Sequence, residues 1–126
     1  MQYVLLIYET PKAFDARDQT AESAHFGAWR AYYQSVVEAG IYVGGNPLQA
    51  PEMGTTVRIK DGKRSIQDGP YANTKEQLGG FMVLELPSLD AALEWGARCP
   101  AASYGAVEVR PISSETHQRV TCESRT

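Results

Sequence analysis

The residues of this sequence best suited to moving a proton are His25 and Asp68. A carboxylate that accepts a hydrogen bond from an imidazole orients the ring and raises its pKa, which suits acid–base catalysis near neutral pH. We therefore hypothesise that His25 transfers a proton and that Asp68 orients it. Structural roles are the alternative: a hydrogen-bonding histidine on a helix, and an aspartate that begins a turn.

A helix over about residues 21–39 is predicted to carry His25. Apolar side chains recur there at helical spacing and mark one buried stripe: Phe26, Trp29, Tyr33, Val36 and Val37. Successive helical residues are about 100° apart, so His25 and Tyr32 fall on the shoulder of that stripe, beside Trp29. We expect side chains on this shoulder to line the edge between the core and a cleft.

The strand that ends at Asp68 belongs to a predicted hairpin. Residues 55–60 and 63–68 flank Asp61-Gly62, a two-residue link typical of a tight turn. In that register Asp68 shares a face with Val57 and Ile66, so it points toward the apolar side. An ionised carboxylate there needs hydrogen-bond donors or a cation. The candidate partners are Arg64, His25 and the backbone N–H of Gly69.

The stretch from Asp68 to Phe81 reads DGPYANTKEQLGGF and combines a turn, a charged loop and paired glycines. It resembles the DGPF group of the YCII-related family, whose signature runs Asp-Gly-Pro-aromatic, then Thr-Lys-Glu, then Leu-Gly-Gly-aromatic. The segments YVLLIY, VGGNPL and LDAALEWGARCP are also similar to members of that family. The resemblance spans about residues 1–112, which we take as one domain. Residues 113–126 are polar without periodicity and are predicted to be a C-terminal tail.

The resemblance also carries expectations about chemistry. In the better-described YCII branch, a His on the first helix and an Asp near the end of the second are proposed as a catalytic pair. That branch includes an enzyme acting on a chlorinated hydroxyquinol. His25 occupies a position similar to that His. Cys99-Pro100 stands where the branch has Asp-Pro, and Asn73 stands where the DGPF group commonly has Glu.

The predicted order of elements is strand, helix, short strand, hairpin, strand, helix and strand. This is the order of a ferredoxin-like α+β sandwich with an added β-hairpin, in which both helices cover one face of an antiparallel sheet. The opposite face stays apolar, because the strand from Gln2 to Tyr8 is apolar on both faces. Monomers rarely expose such a surface, so we expect a homodimer joined sheet against sheet. The family resemblance implies the same assembly, a dimeric α/β barrel.

Composition limits the partners. The net charge of −3 and the pI near 5.3 argue against direct nucleic-acid binding, which needs a clustered excess of Lys and Arg. Cys99 and Cys122 lack CxxC spacing, and we expect both to be free thiols. The amino end has no signal or membrane segment, so we expect a cytoplasmic protein that does not bind a membrane. His25 and His117 are the two histidines, and no metal site or cofactor is expected.

We expect each subunit to have a small cleft that binds a small molecule, with aromatic compounds among the candidates. The predicted lining residues are His25, Trp29, Tyr32, Gly45, Asp68 and Tyr71. Lys75 is predicted to hold an anionic group at the mouth, although a solvated pair with Glu76 is the alternative. Relatives of the DGPF group are often encoded beside, or fused to, alternative sigma factors. An accessory or regulatory protein without catalysis is therefore the second hypothesis, and a dimeric scaffold without ligand is the third.

Overall fold

The computed structural model describes residues 1–121. Its strands are β1 (Gln2–Glu9), β2 (Tyr42–Pro47), β3 (Thr55–Lys60), β4 (Lys63–Asp68), β5 (Gln77–Glu85) and β6 (Ala106–Pro111). Its helices are α1 (Pro11–Asp15), α2 (Ala24–Glu38), α3 (Leu89–Arg98), α4 (Ala101–Tyr104) and α5 (Ser114–Thr121). Single 3-10 turns cover Ala16–Asp18 and Pro51–Met53. Cys122, in the predicted tail, lies outside the described residues.

The main sheet is antiparallel, with its strands in the order β2-β5-β1-β6. When the separate two-stranded hairpin β3-β4 is set aside, this is the strand order of a ferredoxin-like fold. The predicted α+β class and ferredoxin-like arrangement are therefore confirmed. Among residues 1–121, no helix is long and apolar enough to cross a membrane.

The core lies between one face of the sheet and the two longest helices. Along β1, Tyr3, Leu5 and Ile7 are buried on that face, while the residues between them remain partly exposed on the other. The same cluster takes Val36 from α2 and Ala92 from α3. Strand alternation thus decides which side chains point toward the helices.

Helix α2 begins after Ser23, whose Oγ accepts a hydrogen bond from the Phe26 N–H at 3.3 Å. The helix is rotated relative to the prediction, because Tyr32 is 5% exposed whereas Tyr33 and Val37, assigned to the buried stripe, are each 46% exposed. Tyr32 can turn into the core because its hydroxyl finds a hydrogen-bond acceptor there: it donates to the backbone carbonyl of Trp95 at 2.7 Å. A tyrosine whose hydroxyl is satisfied in this way can occupy the core.

The hairpin has the predicted register, with Thr55 opposite Asp68 and Val57 opposite Ile66. Asp61 and Gly62 have φ values of 51° and 75°, as a two-residue turn of this hand requires. The burial of the hairpin differs from the prediction. Every residue of β4 is exposed in the single chain, so Asp68 does not point into an apolar core. The Gly69 N–H, a predicted partner of that carboxylate, donates to the Gly54 carbonyl instead.

Three other segments have regular structure despite polar or turn-forming residues. Residues 9–19, polar and interrupted by Pro11, contain α1, which starts where Thr10 Oγ1 accepts from the Ala13 N–H. Gly44-Gly45 lies inside β2, next to a register shift, and does not end the strand. Most of the expected tail is helix α5, because Ser113 caps its first turn and Glu115 pairs with Arg119 one turn later.

Candidate functional site

A cleft of about 410 Å³ lies between α2 and the part of the sheet formed by β2, β5 and the end of β1. Most of its wall is apolar or aromatic and includes Ile7, Phe26, Trp29, Tyr33, Tyr42 and Met82. Its lining also includes the charged residues Glu9, Arg17 and Arg30 and the imidazole of His25. An apolar cavity of about 300–1,000 Å³ with a few polar groups is typical of a small-molecule site.

Glu9 forms the floor of this cleft. It continues the alternation of Tyr3, Leu5 and Ile7 along β1, so its carboxylate points to the inner side of the sheet and is only 3% exposed. Tyr104, from α4, donates its hydroxyl hydrogen to Glu9 Oε2 at 2.8 Å. Trp29 Nε1 donates in turn to the Tyr104 oxygen at 3.0 Å. The directions of these bonds make the carboxylate the final acceptor of the chain.

Arg17 supplies the charge that compensates the buried carboxylate. Its Nη2 donates to Glu9 Oε1 at 2.7 Å and to the Gly79 carbonyl at 2.9 Å, and its Nη1 donates to the Leu48 carbonyl. One guanidinium thus joins the end of β1, the start of β5 and the segment after β2. A buried charge of this kind is tolerated when it is both paired and hydrogen-bonded.

The tyrosine of this network is held in its protonated form. Burial raises the pKa of Tyr104, and its hydrogen bond to Glu9 raises that pKa further. A phenol in this state donates its hydrogen to the carboxylate and does not act as a base near neutral pH. Tyr104 therefore helps to fix the carboxylate of Glu9 at the cleft floor.

Two glycines make room for the site. A methyl group on Gly79 would overlap the Glu9 carboxylate, so β5 passes this close to the acid only without a side chain. A methyl group on Gly45 would overlap the Phe81 carbonyl and come within 2.9 Å of Met82 Cα. Gly45 therefore lines the cleft and also permits the close approach of β2 and β5.

His25 is half-buried on the helix side of the cleft. Its ring centroid lies 5.2 Å from that of Phe26, edge to face, and 6.1 Å from that of Tyr104. The imidazole is therefore near the same tyrosine that bonds Glu9. Among residues 1–121 no hydrogen bond joins His25 to Asp68.

The structure brings some of the predicted site residues together and separates others. His25, Trp29 and Gly45 line the cleft. Tyr32 is in the core, with its ring 6.2 Å from that of Trp29. The remaining three predicted residues, Asp68, Tyr71 and Lys75, lie on or after the hairpin, are exposed and do not line this cleft.

Sequence reasoning missed the charged residues of the floor and mouth. Glu9, Arg17 and Arg30 line the cleft. Tyr104 does not line it but donates a hydrogen bond to Glu9. A signal for Glu9 was present: it is the next inward position after three alternating apolar residues, where a carboxylate is unusual and needs an explanation. The sequence offers no comparable pattern for Arg17 or Tyr104, which reach the site from distant segments.

A family model described as the YCII-related domain matches residues 1–116. The chain belongs to the YCII-related family. An uncharacterised protein of Rhizobium meliloti (strain 1021) is 32% identical over 115 residues, which are 90% of this chain and 93% of that protein.

Among solved structures, this YCII-related chain is similar to the 5-chloro-2-hydroxyhydroquinone dehydrochlorinase TftG from Burkholderia phenoliruptrix AC1100. That structure is a complex with 2,5-dihydroxybenzoquinone. The TM-score is 0.52, with 16% identity over 90% of this chain and 94% of that one. At this identity the likeness shows the fold alone.

The residue that follows the second long helix is a cysteine. Cys99 occupies that place in this YCII-related protein, is 2% exposed, and belongs to the hydrophobic core. Burial raises the pKa of its thiol to about 11. A reactive thiol needs an exposed site and a lowered pKa, and Cys99 has neither. Within residues 1–121, no group of three or more His, Cys, Asp or Glu is placed to hold a metal ion.

Proposed function

We propose that this YCII-related protein binds a small, flat, oxygen-substituted aromatic or quinone-like molecule in the cleft beside His25. The observation that carries the proposal is the lining of the cleft, which consists mainly of apolar and aromatic side chains and includes a few polar groups. A flat ring would stack on or against these side chains, and the polar groups would fix its orientation. The hydroxylated quinone bound by the structural neighbour TftG belongs to the same chemical class.

In this proposal His25 exchanges a proton with an oxygen of the bound ring. Its half-buried imidazole faces the cleft, which is the geometry that a general acid or base needs. Asp68 takes part only if the hairpin of a second copy brings it to this cleft, because Asp68 is exposed and does not line the cleft in the single chain.

Calorimetric titration with 2,5-dihydroxybenzoquinone tests the proposal. We expect saturable binding at one site per chain, and His25→Gln should weaken it about tenfold, which is the typical effect of one lost hydrogen bond to a charged group. The matched control is His117→Gln on α5, outside the cleft, which should leave the affinity unchanged. Absence of heat with the unaltered chain, or equal loss in both variants, would contradict the proposal.

We further propose that two copies associate through the sheet face opposite the helices, as the dimeric barrel of the sequence prediction requires. Val4, Leu6 and Val83 lie on that face and are only partly covered in the single chain. A dimer would bury them and would remove the exposed apolar surface. Light scattering after gel filtration should give twice the chain mass, and Leu6→Glu should shift that mass toward one chain. A monomeric unaltered protein would refute this assembly.

An accessory role with an alternative sigma factor stays the second candidate. It is favoured by the hairpin, where Val57, Ile59 and Ile66 are each more than half exposed on one face and available to a protein partner. Capture of a purified sigma factor that survives His25→Ala but not Ile66→Asp would support this role over the cleft-based function.

A further inference from the structure

The inner and outer ends of the cleft differ in charge, with an ion pair inside and an exposed cation at the mouth. Its floor carries Glu9, which is 3% exposed, and its mouth carries Arg30, which is exposed to solvent. His25 lies on the wall and is half-buried. A ligand in this cleft therefore meets the Glu9–Arg17 ion pair at its inner end and the guanidinium of Arg30 at its outer end.

Most of the hydrogen-bond donors at the floor are already in use. The guanidinium of Arg17 donates to Glu9 and to two backbone carbonyls with three of its five N–H groups. The indole N–H of Trp29 and the hydroxyl of Tyr104 are also committed as donors. An ionised carboxylate has about four lone-pair positions, and the network occupies two of those on Glu9. Glu9 therefore has about two acceptor positions left for a ligand in the cleft.

The mouth has the opposite character. Arg30 makes one hydrogen bond from Nη2, to the Ala21 carbonyl at 3.0 Å. A guanidinium has five N–H donors, so most of them remain directed at solvent or at an occupant of the cleft. An ionised oxygen on the ligand would find its best partner here.

We propose that Glu9 is the specificity-determining residue of the cleft, and that it selects aromatic ligands with an O–H or N–H donor at the inner end and an acidic group at the outer end. This inference rests on the proposed function and narrows its ligand class to hydroxylated aromatic anions. A ring that lacks the inner donor leaves the buried carboxylate facing an apolar edge, which is costly.

A pair of matched probes tests the inference. 4-Hydroxybenzoate has the inner hydroxyl and the outer carboxylate, whereas 4-fluorobenzoate is of similar size and lacks the donor. By calorimetry with the unaltered chain we expect 4-hydroxybenzoate to bind at least about tenfold more tightly, the effect of one hydrogen bond to a charged acceptor.

Two variants show which end of the cleft determines the difference in affinity between the probes and which end binds their shared carboxylate. Glu9→Gln should bring the ratio of the two affinities toward one, because the neutral amide is a weaker acceptor. Arg30→Gln should weaken both probes while leaving their ratio unchanged. A ratio near one on the unaltered chain overturns the inference even if Glu9→Gln fails to fold, and a large ratio that Glu9→Gln retains overturns the role of Glu9.

The outcomes separate this inference from the proposed function. If 2,5-dihydroxybenzoquinone binds but the two benzoates bind equally, or 4-hydroxybenzoate does not bind, the role of Glu9 is wrong and the proposed function stands. If neither the quinone nor either benzoate binds, both are wrong. A tenfold or larger ratio that is lost in Glu9→Gln supports both.

Discussion

The cleft floor and the β3-β4 hairpin are opposite in construction. The hairpin contains the strongest local signals of the chain, yet Val57, Ile59 and Ile66 are 59%, 67% and 55% exposed. The floor contains no recognisable motif, yet it buries the carboxylate of Glu9, and each of its two oxygens accepts a hydrogen bond, from Arg17 and from Tyr104. Short-range patterns thus specify a pairing, whereas the candidate site is assembled from contacts between distant segments.

Among the substitutions that would distinguish the cleft floor from the hairpin, Arg17→Met is expected to cause the largest loss of stability. The substitution keeps the aliphatic stem but leaves the buried Glu9 carboxylate without its cation, so we expect the free energy of unfolding to fall by about 3 kcal/mol. Urea denaturation at pH 7 measures the loss. Lys63→Met in the exposed hairpin is the control and should change the value by less than about 0.5 kcal/mol. Equal losses would mean that the floor is no more important to stability than the hairpin.

The second-largest loss of stability is expected from Gly79→Ala. The added methyl group must displace the Glu9 carboxylate, which Arg17 and Tyr104 hold in place, so we expect a loss of about 2 kcal/mol. Gly27→Ala on α2 is the matched control, because nothing lies within 4 Å of its added methyl group. That control should raise stability slightly, as alanine is favoured over glycine within a helix. A stabilising Gly79→Ala would show that the carboxylate is not held where the network places it.

These expectations also show why the sequence predicted the fold better than the site. The apolar first strand and the Asp61-Gly62 turn depend on neighbouring residues, so both elements were predicted, the hairpin with its correct register. Glu9 and Tyr104 are 95 positions apart, and Arg17 and Gly79 are 62 apart. Contacts of such separation follow from the folded chain as a whole, and the sequence alone offers no local pattern for them.

The rotation of α2 has a related cause. Hydrophobicity placed Tyr33 and Val37 in the stripe, whereas the buried face is set by Tyr32, whose hydroxyl finds the Trp95 carbonyl on α3. An acceptor on another helix cannot be deduced from periodicity. The same limit explains Asp68, which was given the correct register in the hairpin but the wrong degree of burial.

A smaller effect is expected from Tyr104→Phe. The change removes one hydrogen bond to Glu9 and leaves the Trp29 N–H without its acceptor, so we expect a loss of about 1.5 kcal/mol. Thermal unfolding at constant pH measures it. Tyr71→Phe is the control, since this ring is 75% exposed and lies outside the cleft. If both variants behave alike, the hydroxyl of Tyr104 does not help to hold the floor.

The smallest effect is expected in the hairpin itself. Ile66→Thr keeps a β-branched side chain on an exposed strand, so we expect a change within about 0.5 kcal/mol in the isolated chain. The measurement should be made at protein concentrations below and above any dimerisation. A loss well above 1 kcal/mol that grows with concentration would show that the hairpin is covered in the assembly.

The most direct test of the account is a crystal structure of the protein with 4-hydroxybenzoate. We expect the ring between His25 and the aromatic wall of the cleft, with its hydroxyl within hydrogen-bond distance of Glu9 and its carboxylate toward Arg30. A ligand bound at the hairpin, or one in the cleft with its carboxylate against Glu9, would contradict it.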